Sequence, residues 1–293
     1  MTIAPTELPV AAAAPARRGA WRQIRRHPTI AAGAVLLMVM VAMALLAPWL
    51  GTVDPQALSP AQRLKWPSAA HWFGTDMLGR DVYSRTIYGA RISLIVGLSV
   101  AVFSTALGLV IGVVTGFVRW IDAIVMRIMD GLMSIPAILI AIALMALTRA
   151  SLGNVIFAIT VAEVPRVTRL VRGVVLTLRE QPYVEAALAS GTGIARILSR
   201  HIVPNTLTPL LVNGTFIAAS AMITEAILSF LGAGTPPNIP SWGNIIAEGR
   251  ALFIVSYYIV LFPGIMLSIT VLAINLLGDG LRDALDPRLA RRM

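Results

Sequence analysis

Residues 92–118 read ISLIVGLSVAVFSTALGLVIGVVTGFV, a stretch without one charged side chain. As a helix it is long enough to cross a hydrocarbon layer of about 30 Å, which takes roughly 20 residues. The rest of the chain repeats the theme. Apolar residues make up 57% of the 293 positions and charged residues 13%, so a water-soluble core is the poorer explanation. Working outward from 92–118, further spans are expected near residues 30–50, 125–147, 152–172, 206–231 and 252–277. Only helices and closed barrels satisfy their own backbone in lipid, and these runs are too long for barrel strands. The expected fold class is all-α integral membrane, with six transmembrane helices.

The fourth expected span is interrupted by Glu163, Pro165 and Arg166. Charge bias decides that it crosses. With six crossings and both termini cytoplasmic, the inner segments hold Arg17, Arg18, Arg22, Arg25, Arg26, Arg119, Arg127, Arg166, Arg169, Arg172, Arg179, Arg196, Arg200, Arg282, Arg288, Arg291 and Arg292, and the short outer loops hold Arg149 and Arg250. Deleting that span would place the whole 166–200 cluster outside, against the positive-inside tendency. The net charge of +10 is explained by arginines facing anionic membrane lipid, and a nucleic-acid partner is not needed. The basic segment before the first span does not make it a cleaved signal, because the apolar run is too long and leads into further spans.

Several chemistries lack their residues. There is no cysteine, so no disulfide or thiolate metal site is available. The single lysine, Lys65, lies in Arg63-Leu64-Lys65-Trp66, which rules out a Gly-Lys-Ser/Thr phosphate loop on this chain. His27, His71 and His201 are far apart, and no Gly-x-Ser-x-Gly elbow occurs. An enzyme is the weaker class, and neither a cofactor nor a metal is expected. The long outer segment 51–91 carries Pro55, Pro60, Pro67, Trp66 and Trp72; it reads either as a loop lying on the headgroup layer or as a docking surface for a soluble partner.

Two acids fall inside or at the edge of apolar runs, Asp130 and Glu225. A charge at the bilayer centre costs about 2.5 to 3.5 kcal/mol on insertion scales, so such residues face the bundle interior. Both are candidates for a solute pathway; for Glu225 an interhelical hydrogen bond is the alternative. A proton-coupled secondary carrier would want a chain of acids or two repeated halves with broken helices, and no internal repeat is evident.

Between the fourth and fifth spans lies a polar island. Tyr183 to Ser190 has good helix formers, Gly191 and Gly193 make a flexible stop, and residues 194–202 form a second short helix before Pro204. Ala186 and Ala187 let another surface approach closely, with Glu185, Arg196 and Arg200 at the edges. On the residues alone this is a bent protrusion or an amphipathic interfacial connector.

The spacing Glu185-Ala186-Ala187, Gly191, Pro204 resembles the cytoplasmic coupling loop of permease subunits in binding-protein-dependent ABC importers. His201 stands where that pattern has Ile, and Val203 where it has Leu. From residue 71 onward the chain is similar to the dipeptide and oligopeptide permeases: His71-Trp72-Phe73-Gly74-Thr75-Asp76, Gly79-Arg80-Asp81, Ser84-Arg85 and Tyr88 to Leu94, then Leu228 to Gly232, Pro236-Pro237 and Ser241-Trp242-Gly243-Asn244, and finally Asn275 to Arg288. The resemblance implies a type I importer permease in the bacterial inner membrane. It implies as partners a second related permease, two cytoplasmic ATP-binding subunits and a periplasmic solute-binding protein. It implies inward transport of di- or oligopeptides, with nickel or glutathione as alternative solutes. Under that resemblance residues 1–88 are an amino-terminal tail, first helix and outer loop, 89–281 the permease domain with its coupling loop at about 173–205, and 282–293 a cytoplasmic tail. Glu185, Ala186, Ala187 and Gly191 would carry coupling, and Pro204 would end the lever.

Overall fold

The computed structural model describes residues 28–285, and among them every named element is helical. The amino-terminal arginines Arg17, Arg18, Arg22, Arg25 and Arg26, and Arg288, Arg291 and Arg292 at the other end, lie outside the described residues. The chain forms α1 (Pro28–Leu45), α2 (Val82–Phe117), α3 (Arg119–Met133), α4 (Ala137–Leu147), α5 (Leu152–Arg179), α6 (Pro182–Ala189), α7 (Ile194–Ile197), α8 (Val203–Phe230), α9 (Trp242–Gly249) and α10 (Tyr258–Leu285). Three starts are set by side-chain caps. Asp81, Ser151 and Ser241 accept from the backbone N–H three residues on in α2, α5 and α9.

Small residues on α2 decide how the bundle closes. Gly108, Gly112 and Gly116 recur every four residues and therefore share one face. A Cβ added to Gly112 would meet Val171 Cβ and Cγ1 at 2.7 Å, and Gly108 and Gly116 are likewise filled by Val167 and Val175 of α5. The paired order 108 with 167 and 116 with 175 makes α2 and α5 parallel neighbours. Higher on α2, Gly97 lies against Ala218 and Met222 of α8, with the order reversed at Gly214 and Thr105, so α8 runs antiparallel. Lipid tails are as apolar as the side chains, so close van der Waals approach at small residues replaces the hydrophobic effect as the force between helices. The outer surface agrees: Val35, Met38, Leu98, Val110 and Leu211 are all more than half exposed, as a lipid-facing surface requires.

Among the described residues four helices are long and apolar enough to cross a membrane singly, α1, α2, α10 and the continuous stretch Ile194–Phe230. The expected third span is not one straight helix. It breaks at Ser134-Ile135-Pro136, and α3 and α4 meet at 91°, together giving a fifth candidate. Pro136 cannot donate into a continuing helix and pushes the residue before it out of the α region. The expected fourth span is all helix in α5, with Pro165 accommodated inside it, but it is not among the helices passing on apolarity.

Other boundaries moved too. The first span ends at Leu45, followed by a 3-10 turn at Ala47–Trp49. The sixth starts at Tyr258, because residues 250–255 form a 3-10 turn followed by further turns.

Candidate functional site

The helical hairpin expected from the island is present. Pro182 sits at the first turn of α6, where its missing N–H costs nothing. At the other end Gly191 has φ +74°; its N–H donates to Leu188 O at 3.0 Å, and Thr192 N–H donates to Ala187 O at 3.0 Å. That pair of bonds is a Schellman cap, and only a residue tolerant of the left-handed region fits its centre. Val184, Ile197 and Ile202 are fully buried and pin the hairpin to the bundle, while Glu185, Ala186 and Gly191 are exposed and Ala187 is half-buried. The Tyr183 and His201 rings face each other at 5.9 Å across the hairpin.

Pro204 does not end this lever. The helix from Ile194 continues into α8 through one π turn at Leu198–Ile202, closed by Val203 N–H donating to Leu198 O, and is a single 37-residue helical stretch to Phe230. The wider turn absorbs the hydrogen bond that proline cannot make, so the chain passes Pro204 without a break. The hairpin is thus rigidly joined to a membrane-length helix.

Asp130 and Glu225 do not come together. Asp130, on α3, accepts from Arg169 Nη2 of α5 at 2.5 Å, both side chains about half exposed. Asp122 makes the companion pair, accepting from Arg172 Nε and Nη2 at 2.5 and 2.7 Å. These pairs tie amphipathic α3 to α5. Glu225 is fully buried on α8. Its Oε1 accepts from Ser229 Oγ at 2.9 Å, Ser241 Oγ at 2.8 Å and Thr235 Oγ1 at 3.2 Å. In this conformation Asp130, one candidate for the solute path, stands in an ion pair, and Glu225, the other, clamps the start of α9.

At the opposite end from the hairpin lies a charge cluster that the sequence reading missed. Asp76 Oδ2 accepts from Arg80 Nε and Arg85 Nη1, each at 2.7 Å. Glu248, on α9, accepts from Arg80 Nη2 at 2.6 Å, and from Arg85 Nη1 and Nη2 at 2.5 and 3.1 Å. Arg85 is 1% exposed and Asp76 2%. Beside it His71 Nδ1 and Asp81 Oδ1 are 3.1 Å apart. Trp242 completes the seat of α9, fully buried, its Nε1–H donating to Thr86 O at 2.9 Å. Asp76, Arg80 and Arg85 were visible as parts of motifs; the partner Glu248 was not, because nothing in the sequence links it to residues 163 positions away.

The structure is thus a helical bundle of membrane-length helices with an exposed helical hairpin at one end and a closed charged cap at the other. The chain belongs to the family described as binding-protein-dependent transport system inner membrane component, whose model matches residues 104–291. Residues 17–67 match the N-terminal TM domain of oligopeptide transport permease C. Among curated proteins it is similar to a probable peptide ABC transporter permease of Sinorhizobium fredii, at 54% identity over 92% of this chain and 93% of that one. It is also similar to the dipeptide transport system permease of Alkalihalophilus pseudofirmus, at 39% identity over 93% of this chain and 90% of that one. A glutathione transport system permease of Pectobacterium atrosepticum is 40% identical, over 92% of this chain and 90% of that one. The protein is therefore an inner-membrane permease of the ABC importer type, a carrier subunit and not an enzyme.

Proposed function

We propose that this permease carries di- or oligopeptides inward, paired with a second, related permease, two ATP-binding subunits on the cytoplasmic side and a periplasmic solute-binding protein. The observation carrying the mechanism is the continuous helix from Ile194 through Pro204 to Phe230. When ATP draws the partner subunits together, a hairpin seated in one of them moves. A rigid connection turns that displacement into rocking of α8 and the helices packed on it. Glu185, Ala186, Ala187 and Gly191 form the contact surface, with small side chains permitting close approach. Two states with different contacts at this surface are what the coupling requires.

In this reading the bundle crosses the membrane six times, with the bent α3 and α4 counted once and α5 crossing despite its charges. Both termini then lie in the cytoplasm with the hairpin. Arginines 166, 169 and 172 lie toward the hairpin end of α5, as the positive-inside tendency asks. The peptide assignment is supported by the relatives named for peptide and dipeptide transport. Glutathione, itself a small peptide, is the second reading and is favoured by the relative named for its transport.

The test is ATP-dependent accumulation of labelled dialanine in proteoliposomes holding the co-expressed permeases, ATP-binding subunits and binding protein. Accumulation that requires ATP and this chain is the expected result. Glutathione accumulation without dialanine accumulation would move the substrate to the second reading, and accumulation that proceeds without ATP would overturn the importer.

A further inference from the structure

The charged cap borders a cavity of about 490 Å³ lined by Asp76, Arg80, Glu248, Met77, Pro237 and Leu252, among others. Its size lies in the range of small-ligand sites, and its lining has their character: apolar walls with a few convergent polar groups. One wall is held in place. Asn244 Nδ2 donates to the backbone oxygens of Thr235, Pro236 and Ile239 at 2.9 to 3.1 Å, fixing the loop that carries Pro237. The cavity is formed before any ligand arrives.

Its charges come in both signs. Asp76 and Glu248 offset Arg80 and Arg85, so the cluster is neutral and offers no net attraction to a simple cation or a simple anion. Two of its members, both lining the cavity, still have hydrogen-bonding capacity. Glu248 has a side chain 29% exposed, and among the described residues its Oε1 accepts a single bond, the 3.1 Å contact from Arg85. Arg80 commits Nε to Asp76 and Nη2 to Glu248, and among the described residues its Nη1 makes no hydrogen bond. A carboxylate and a guanidinium side by side on an apolar floor complement a molecule bearing an ammonium and a carboxylate with an apolar body between or beside them.

We propose that this cavity is an entry subsite for zwitterionic solutes, in which Glu248 accepts the ligand's ammonium and Arg80 binds its carboxylate. This deepens the peptide reading and rests on it for the identity of the solute. Partner exchange keeps every buried charge compensated: as Arg80 turns from Glu248 toward the ligand carboxylate, the ammonium takes its place on Glu248. The bonds that fasten α9 to the 74–85 segment are then shared with the solute. Arg85 remains on Asp76 throughout and preserves the fold of the cap.

The chain has no cysteine, so Met77→Cys, on the cavity wall, introduces a unique reporter on this subunit. In the assembled importer in nanodiscs, alkylation of this cysteine is followed by the mass of this chain. The ligands are dialanine, N-acetyl-dialanine and dialanine amide. Dialanine should slow the alkylation by about tenfold, and the capped peptides at the same concentration far less, since each has lost one of the two charge-assisted contacts. Glu248→Gln should abolish the preference for the free amino terminus while leaving that for the free carboxyl terminus.

Equal protection by capped and free peptides, or none by either, overturns the subsite. The ligand series in the Met77→Cys protein with Glu248 intact decides this even if Glu248→Gln does not assemble. Dialanine uptake by the same complex in liposomes separates the two ideas: uptake without protection removes the subsite alone, and protection without uptake supports the subsite and removes the peptide-importer reading.

Discussion

Arg85 grips Glu248 through two hydrogen bonds, Nη1 to Oε2 at 2.5 Å and Nη2 to Oε1 at 3.1 Å, across 163 positions of sequence. The same Nη1 reaches Asp76 at 2.7 Å. A buried guanidinium thus joins the segment before α2 to the short helix between α8 and α10.

Removing that cation leaves Asp76, 2% exposed, short of one of its two cationic partners. Arg85→Ala should destabilise the protein by about 3 to 5 kcal/mol, the range for breaking a buried pair from one side. Arg85→Lys should be only partly better, because a point charge cannot reproduce the fork. Loss of monodisperse protein on heating in detergent, followed by size-exclusion chromatography, measures both; wild-type behaviour of Arg85→Ala would refute the clasp.

Gly112 leaves no room for a side chain opposite Val171 and Thr168. Gly112→Val should cost about 1 to 3 kcal/mol as an overpacked contact, and Val171→Ala should not rescue it, because the alanine keeps the Cβ at 2.7 Å. Gly131 on α3 has nothing within 4 Å of an added Cβ, so Gly131→Ala is the control and should be neutral or slightly stabilising. Thermal midpoints of the purified variants give the comparison.

At Gly191 the φ of +74° would cost a side-chain-bearing residue about 1 to 2 kcal/mol. Asn is the mildest replacement. Gly191→Pro also deletes the N–H that bonds Leu188 O. The expected phenotype of Gly191→Pro, and of Ala187→Glu on the contact surface, is a chain that reaches the membrane yet uncouples ATP hydrolysis from uptake. Parallel assays of phosphate release and solute accumulation read it out. If hydrolysis and uptake fall together in proportion, the hairpin is not the coupling element.

Ser241 does two jobs: its Oγ accepts from Asn244 N–H at 3.1 Å to cap α9 and donates to Glu225 Oε1 at 2.8 Å. Ser241→Ala should lose about 1 to 2 kcal/mol, of which the cap is the larger share. Glu225→Gln keeps a carbonyl acceptor in the same place and should be tolerated, whereas Glu225→Leu strands three hydroxyl donors and should not be. Hydrogen exchange over residues 235–249 would report the loosening of α9, and unchanged exchange in Glu225→Leu would dismiss the clamp.

Sequence carried the architecture unevenly. The runs at 92–118 and 206–231 were legible because lipid demands long apolar helices whatever they pack against. The hairpin was legible because residues 183–190 favour helix and Gly191 and Gly193 punctuate it locally. Passage of the helix through Pro204 was not, since a π turn depends on how the neighbouring carbonyls are held, and neither was the 91° bend at Pro136, where proline alone allows a kink or a stop. Glu225 read equally as a pathway acid or a bonded one, and Asp130 as a pathway candidate; only the tertiary structure gives their bonding partners, Ser229, Thr235 and Ser241 for the first and Arg169 for the second.

By itself, the sequence determined an all-helical membrane protein with an arginine cluster at 166–200 and a helical hairpin whose spacing resembles a coupling loop. These follow from solvent and backbone, which act on each segment alone. Tertiary structure alone decided that Gly108, Gly112 and Gly116 receive Val167, Val171 and Val175, that Glu225 holds the start of α9, and that Glu248 closes on Arg80 and Arg85. Those are pairings between distant segments, fixed by which small residue leaves room for which neighbour and which buried charge must find its counter-charge.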